Sequence, residues 1–557
     1  MSERPKLEAC PLCGSGLQYQ FTHETTPIDR CQGCGLRMRN PQPSDAELSA
    51  IYDEHYFFGR GEGEETNALK RATAASYLDE IEQRLGVDAT TRRGLRLLEV
   101  GSGLGNLLLE AMSRGYEVTG LEYSESSVRA ANERLGGARV LQGSLGEARL
   151  PGAGFDVAVL ADVIEHTRKP LEDLSRVFDA LRPGGIAFVA VPSLDSWSAR
   201  LLGERWMEFK LEHLFYFDRQ TIQTLLYKGG FSAVEISPGR KTLSADYVIE
   251  HFQRFPVPLV TPVAALGRRV LPRAMRRRRV SLVASGINVT AVRAASPPPG
   301  DRPEVLSVVM PVFNERQTFP QVMERLLAKK IPGMEIEIVI VESNSTDGTR
   351  DEVKKLEGRP GVRVLYEERP RGKGHAVRTG LAEARGDFVL IQDGDLEYDI
   401  DDYDALLDPL RAGRAAFVLG ARHGQGGASW KMRHFTDNVM LSQVMNFGHL
   451  FFTALFNVVY GTRLKDPFTM FKVFRRDCLF NLTFESNRFD FDWELVGKLV
   501  RAGYAPLEIP VNYESRSFSE GKKVSFFRDP FTYFRACFKY RFTSLGRKER
   551  GRPGPPR

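Results

Sequence analysis

Leu97-Leu98-Glu99-Val100-Gly101-Ser102-Gly103-Leu104-Gly105 and Val389-Leu390-Ile391-Gln392-Asp393-Gly394-Asp395 are the two stretches that decide the fold. Each is an apolar strand running into a turn that carries chemistry. In the first, glycines let the backbone approach a ligand at the strand's carboxyl end, as a dinucleotide or adenosyl group requires. In the second, two carboxylates one residue apart repel each other unless a divalent cation lies between them and a diphosphate. Ala294-Ala295-Ser296-Pro297-Pro298-Pro299-Gly300-Asp301-Arg302-Pro303 separates them and has linker composition, proline-stiffened and without apolar periodicity. The chain therefore reads as two catalytic halves in series.

The bulk properties agree. A length of 557 residues exceeds what one hydrophobic core serves. A hydrophobic content of 42% and a charged content of 27% are ordinary for a globular protein, and a net charge of +6 names no partner. Arginines do concentrate at Arg268, Arg269, Arg273 and Arg276 through Arg279. A solvated face explains such a run more simply than an anion site does. The first residues contain no apolar h-region, so no secretory signal is expected. Asn438 to Thr462 contains no Asp, Glu, Lys or Arg, but Ser442, Gln443, Asn446, His449 and Asn457 interrupt it. Each of these is costly in hydrocarbon, so a buried or interfacial helix is expected rather than a membrane span. The expected location is cytoplasmic, with peripheral contact at the inner face of a membrane as an option.

Four of the six cysteines form Cys10-x2-Cys13 and Cys31-x2-Cys34, each pair followed by a glycine. Two thiolates on a tight knuckle reach one tetrahedral ion, and four leave no open position, so a structural Zn²⁺ is expected. Its binding free energy would help fold a segment too short to fold alone. Cys478 and Cys537 are isolated.

After a polar stretch containing Tyr56-Phe57-Phe58, a helical pattern runs from Ala72 to Leu85. From Leu95, short apolar runs alternate with helical segments, the signature of a parallel sheet with helices on both faces. Strand Arg96–Val100 feeds the glycine turn, and strand Glu117–Leu121 ends in Glu122. Strand Phe155–Leu160 precedes Ala161-Asp162-Val163-Ile164-Glu165-His166, and Leu181-Arg182-Pro183-Gly184-Gly185 leads into strand Ile186–Val191. Together these resemble the class I S-adenosylmethionine-dependent methyltransferases, over roughly residues 90 to 295 with a last strand at Asn288–Arg293. The resemblance implies a Rossmann-like domain. It also implies that Glu99, Gly101, Gly103, Gly105, Glu122, Ser144, Leu145 and Asp162 surround S-adenosylmethionine, with Glu122 on the ribose and Ser144-Leu145 by the adenine. His166 and His213 are acid–base candidates on the acceptor side, with hydrogen-bonded structural histidines as the plain alternative.

The second half begins with strand Leu306–Met310 and Pro311-Val312-Phe313-Asn314-Glu315, followed by a helix over Phe319–Lys329. Strand Ile336–Val341 runs into Glu342-Ser343-Asn344-Ser345-Thr346-Asp347. Then come Arg371-Gly372-Lys373-Gly374-His375 and the strand ending in Asp393 and Asp395. Downstream lie Gly420-Ala421-Arg422, Lys465-Asp466-Pro467-Phe468, Phe489-Asp490-Phe491-Asp492-Trp493-Glu494 and Tyr513 through Lys523. The ordered set resembles family 2 glycosyltransferases of the GT-A fold, especially the branch of dolichyl-phosphate mannose synthase. By that resemblance Pro311, Asn314, Glu315, Glu342, Asp347, Lys373 and Arg378 surround the nucleotide-sugar. Asp393 and Asp395 take Mg²⁺ or Mn²⁺, assisted by Glu397, and Arg516 and Lys522 meet a phosphate. Glu342 stands where aspartate is more usual, which leaves base preference open. The pair of transmembrane helices that follows the domain in many membrane-bound relatives is not expected here. A hydroxyl acceptor would need a base, for which Asp466, Asp492 and Glu494 are candidates; a phosphate acceptor needs none.

Phe527, Phe531, Phe534, Phe538 and Phe542 then recur at helical spacing behind Pro530, among Arg535, Lys539 and Arg541. This fits a helix on an anionic membrane and equally a helix docked on the domain. The expected domains are 1–60, a zinc ribbon and connecting segment; 61–294, the methyltransferase; 295–303, the linker; 304–525, the glycosyltransferase; and 526–557, the helix and tail. The expected activity is bifunctional, combining methyl transfer with inverting, metal-dependent transfer from a nucleotide-sugar to a glycan or polyprenyl-phosphate acceptor. An RNA-modifying first half and a non-catalytic scaffold half are the alternatives, with nucleic acid disfavoured as a partner.

Overall fold

The computed structural model describes residues 4–51, 64–146, 148, 150, 152–254, 261–262, 265–266, 272–295, 302–422, 439–514 and 529–546. Arg516, Lys522, Arg268, Arg269, Tyr56-Phe57-Phe58, Phe527, Pro297, Pro298 and Pro299 of the linker and the end of the tail lie outside them. The chain divides into two compact units, which part between Pro298 and Pro299.

The first unit contains β1 (Leu17–His23), β2 (Thr26–Cys31), β3 (Arg37–Arg39), β4 (Arg96–Val100), β5 (Glu117–Glu122), β6 (Val140–Gln142), β7 (Phe155–Ala161), β8 (Leu181–Pro192), β9 (Phe215–Tyr216), β10 (Phe231–Leu243) and β11 (Val280–Arg293). A four-stranded sheet has the order β1-β2-β3-β9, and a seven-stranded sheet the order β10-β11-β8-β7-β4-β5-β6. In the larger sheet β6, β5, β4, β7 and β8 are parallel, while β11 inserts antiparallel between β8 and β10. The parallel strands are apolar on both faces because helices cover both; Val157, Ala158, Val159 and Leu160 of β7 are wholly buried. Helix Asn106–Ser113 starts directly after the glycine turn, and Glu64–Leu85, longer than its pattern suggested, packs on the same sheet. The order reverses beside β4, so the crevice beyond its carboxyl end is where such a sheet takes ligands. The cysteine knuckles do not stand apart: Cys10, Cys31, Cys34, Leu36 and Met38 share a core with Leu214, Phe217 and Ile222.

The second unit contains β12 (Glu304–Val312), β13 (Met334–Glu342), β14 (Val362–Tyr366), β15 (Phe388–Ile391), β16 (Phe417–Ala421), β17 (Lys472–Arg475) and β18 (Leu507–Pro510). Their order is β14-β13-β12-β15-β17-β16-β18. The first four are parallel; β17 is antiparallel to both β15 and β16. The carboxyl ends of β12, β13 and β15 thus open on one edge, carrying Pro311-Val312, Glu342 and Asp393 respectively. The charge-free stretch is one helix, Val439–Tyr460, and the phenylalanine-spaced segment is another, Asp529–Phe542. They meet where Phe452 lies 5.8 Å from Tyr533 and Tyr460 Oη donates to the Cys537 carbonyl at 3.0 Å. Among the described residues no helix is long and apolar enough to cross a membrane.

Candidate active sites

The cysteine cluster is built by two turns. Gly14 and Gly35 take φ of 73° and 82° just after their cysteine pairs, a backbone that side chains resist. Cys10 Sγ lies 3.6 Å from Cys34 Sγ, and Cys13 Sγ 3.3 Å from Cys31 Sγ. Tetrahedral zinc with Zn–S bonds of about 2.3 Å needs edges of about 3.8 Å, so the four sulfurs fit that ion. The amides of Gly33 and Cys34 donate to Cys31 Sγ at 3.3 and 3.4 Å, the hydrogen bonds a thiolate asks for.

In the methyltransferase-like sheet the glycine turn is held from below. Glu122, at the end of β5, accepts from the Gly103 amide at 2.8 Å and from the Ser124 amide at 3.0 Å, fixing the loop against its neighbouring strand. Gly101 has φ of 69°, and a Cβ there would meet Val163 Cγ2 at 2.7 Å. Glu99 is buried, with Oε2 lacking a hydrogen-bond partner. Burial, reinforced by Glu122, pushes its carboxyl well above the usual range. A buried acceptor beside a tight glycine loop fits a ligand bearing a cationic group, as S-adenosylmethionine does. Asp162, at φ of 54°, pairs with Lys241 at 2.9 Å. Ser144 is exposed and its carbonyl accepts from the Ala148 amide, while Leu145 packs against the core.

His166 and His213 come together edge to face, their ring centroids 4.7 Å apart. His166 Nδ1 meets the Glu212 carbonyl at 3.0 Å and His213 Nδ1 the Glu208 carbonyl at 2.8 Å. A carbonyl only accepts, so both Nδ1 atoms carry the proton. Burial lowers the pKa of both rings, that of His213 further through His166.

In the second unit a cleft of about 820 Å³ opens over the strand ends. Of the predicted residues, Pro311, Glu315, Lys373, Asp393, Asp395, Glu397 and Asp492 line it. Lys373 Nζ lies 2.6 Å from Asp393. Burial works against its charge, but Asp393 and Asp492 prevail and hold it above its ordinary value. Asn314, Glu342 and Asp347 brace the loops beneath. Asn314 Oδ1 accepts from the Thr346 amide at 2.8 Å, Asp347 accepts from the Arg316 and Thr349 amides, and Glu342 accepts from the Ser345 amide at 2.6 Å with Arg350 at 3.2 Å. Arg378 reaches instead to the Phe484 carbonyl and Asn487 Oδ1, at 2.7 and 2.8 Å. Glu397 accepts from Tyr513 Oη at 3.0 Å.

The three carboxylates considered as bases are placed differently. Asp492 faces the cleft, its Oδ1 accepting from the buried Lys472 at 2.7 Å. Glu494 is wholly buried, accepting from Lys498 at 2.6 Å and from the Glu485 and Ser486 amides. Asp466, also wholly buried, grips Arg422 through Nε and Nη2, both at 2.8 Å. Burial alone would raise the Asp466 carboxyl, but Arg422 outweighs it and holds it well below the usual range. Arg422 lines the cleft, 5.3 Å over the Tyr513 ring. The sequence placed Arg422 in the Gly420-Ala421-Arg422 element but gave it no role, and it did not single out the apolar wall of Val444, Met445, Phe452 and Tyr533. The charge-free composition of the helix and the arginine after β16 were the available signals.

The family model "Glycosyl transferase family 2" matches residues 307–480, and "Methyltransferase domain" matches residues 69–236. The chain is 23% identical over 218 residues to a dolichol-phosphate mannosyltransferase of Pyrococcus furiosus, covering 39% of this chain and 58% of that protein. It is 29% identical over 216 residues to the low-salt glycan biosynthesis hexosyltransferase Agl6 of Haloferax volcanii, covering 38% and 48%. The chain thus spans about half the length of the curated relatives it matches. Among solved structures, the magnesium protoporphyrin IX methyltransferase of Synechocystis is similar at 14% identity and a TM-score of 0.30, covering 45% of this chain and 100% of that one. A SAM-dependent methyltransferase of Archaeoglobus fulgidus is similar at 16% and 0.28, covering 44% and 99%. The chain joins a methyltransferase domain to a family 2 glycosyl transferase domain, with a four-cysteine ribbon at its head.

Proposed function

We propose that the chain is a bifunctional enzyme: an S-adenosylmethionine-dependent methyltransferase fused to an inverting, metal-dependent glycosyltransferase acting on a polyprenyl phosphate. The observation that carries the second activity is one cleft joining Lys373, Asp393, Asp395 and Arg422 to an apolar wall. Its polar end suits a nucleoside diphosphate, with Lys373 as a fixed cation and Arg422 held rigid by Asp466. A divalent metal on Asp393 and Asp395 would neutralise the leaving diphosphate. Displacement with inversion needs the acceptor oxygen on the opposite side of the anomeric carbon. A phosphate oxygen is already ionised there, and Arg371 and Arg488, which also line the cleft, supply charge to hold it.

The apolar wall suits a lipid chain, and the helices that form it carry apolar side chains to the surface. Phe447 is 70% exposed, Val458 82%, Phe531 81% and Phe542 80%, with Arg535 and Arg541 exposed among them. Such surfaces suit an anionic membrane interface. A glycan hydroxyl as acceptor is the second reading, favoured by Asp492, whose carboxylate is the one of the three base candidates that lines the cleft.

In the first unit the glycine turn, Glu99 and Glu122 would hold S-adenosylmethionine, which supplies the methyl group. The protein's part is alignment of the acceptor with the sulfonium. The test is a donor screen: purified protein with Mn²⁺ and labelled GDP- and UDP-sugars, with and without polyprenyl phosphate. Label moving into the lipid phosphate supports the reading. Donor turnover confined to hydroxyl acceptors transfers support to the glycan reading.

A further inference from the structure

The methyltransferase unit holds a second cluster of metal-ligating side chains, separate from the cysteines. Glu165 and His166 sit on the turn after β7, and His213 on the loop entering β9. The turn and the loop are tied together, because the Glu165 carbonyl accepts from the Leu214 and Phe215 amides at 2.8 and 3.2 Å. Ligand atoms of the three side chains lie within 4.8 Å of one another.

Two observations point to an ion. Both imidazoles spend their Nδ1 proton on a backbone carbonyl, which leaves Nε2 as the basic nitrogen; histidine ligands of metals are oriented in this way. Glu165 is 1% exposed, and neither of its carboxylate oxygens has a hydrogen-bond partner. A carboxylate so buried needs a compensating cation or a proton. The nearby lysines are already engaged: Lys241 with Asp162 at 2.9 Å and Lys210 with Glu208 at 2.9 Å.

We propose that Glu165, His166 and His213 bind a divalent first-row cation, Zn²⁺ or Fe²⁺ by the chemistry of two imidazoles and one carboxylate, with at least one coordination position left open. Three protein ligands with an open position characterise catalytic rather than structural zinc. The site adjoins the glycine turn, since Val163, two residues before Glu165, packs on Gly101. The open position would receive an oxygen of the methyl acceptor, which gives the two histidines ligation in place of acid–base work. That last role rests on the methyltransferase reading; the metal count does not.

The experiment uses the full chain, with any affinity tag removed and with Asp393→Ala and Asp395→Ala so that the second unit's carboxylates contribute no site. Co²⁺ is titrated into metal-stripped protein under reducing conditions. The cysteines are expected to take one equivalent with intense thiolate charge-transfer absorption. A second equivalent is then expected, with only weak visible d–d bands. Adding Glu165→Gln or His213→Ala should remove the second equivalent and leave the first. A titration that ends at the thiolate-bound equivalent overturns the proposal, as does a second equivalent that survives both substitutions. The parent titration decides the matter by itself if either variant folds poorly. Methyl transfer is assayed separately, so a metal-binding but inactive protein would overturn the methyltransferase reading and leave this site standing.

Discussion

Asp466 shows what a single residue's surroundings add to its position in a motif. From the sequence it is one of three carboxylates that could serve a hydroxyl acceptor as base; in the fold it is the fully buried partner of Arg422, and the guanidinium is what reaches the cleft. Removing one member of a buried ion pair leaves the other uncompensated, so Asp466→Asn is expected to cost about 3 kcal/mol in denaturant unfolding. It should also impair sugar transfer by loosening Arg422. The pH dependence has a definite sign. The folded-state pKa of Asp466 lies below its unfolded value, so its stabilisation is present above about pH 4 and is lost as the pH falls towards the folded pKa. The acid limb of the stability profile should therefore be flatter in Asp466→Asn than in the wild type. Gly101→Ala tests the other unit. Its positive φ and the 2.7 Å approach to Val163 predict a loss of about 1–2 kcal/mol and weaker S-adenosylmethionine binding, read by calorimetry. Motif spacing could find Gly101, but it could not separate Asp492, in the cleft, from Glu494, beneath it. Two residues on one helix face different surroundings, and only packing decides which is which.

Strand ends were the elements most legible in the sequence, because a parallel strand is a short apolar run closed by a chemically special turn. Arg96–Val100 has the predicted bounds, and β5 and β7 differ from theirs by one residue. The alternatives left open were those that depend on partners. The phenylalanine-spaced helix is both docked and exposed: Ala536, Cys537 and Tyr540 are buried, while Phe531, Phe534 and Phe542 face outward. Phe531→Ser with Phe534→Ser should leave the melting temperature nearly unchanged, since both side chains are already exposed. The pair should weaken partition onto anionic vesicles by about tenfold or more, by co-sedimentation. The ribbon shows the reverse dependence. Its cysteines share a core with β9 and the helix Arg219–Lys228, so Cys31→Ser or zinc chelation should lower the melting temperature of the first unit. An unchanged melting curve would mean that the metal contributes nothing to this core.

At the scale of the whole molecule, the described residues carry two seven-stranded sheets of different order, each with its glycine- or carboxylate-bearing turn at the carboxyl ends of parallel strands. The proline-rich break marks where the two units part, and composition alone is enough to see it, because such a segment offers nothing to bury. What composition does not show is chemistry shared between distant segments. The meeting of His213 with Glu165 and His166, or of the helix Val439–Tyr460 with the cleft over the strand ends, exists only after folding. The central claim is two activities on one chain, and the most direct measurement is a double-label assay on one preparation. Methyl-labelled S-adenosylmethionine and a labelled nucleotide-sugar are supplied together to the wild type, to Asp393→Ala and to Gly101→Ala. The account predicts both labels transferred by the wild type. It also predicts sugar transfer alone reduced, by about 10²- to 10³-fold, in Asp393→Ala, and methyl transfer alone reduced in Gly101→Ala. A wild type that transfers only one label, or an Asp393→Ala variant that keeps full sugar transfer, would contradict it.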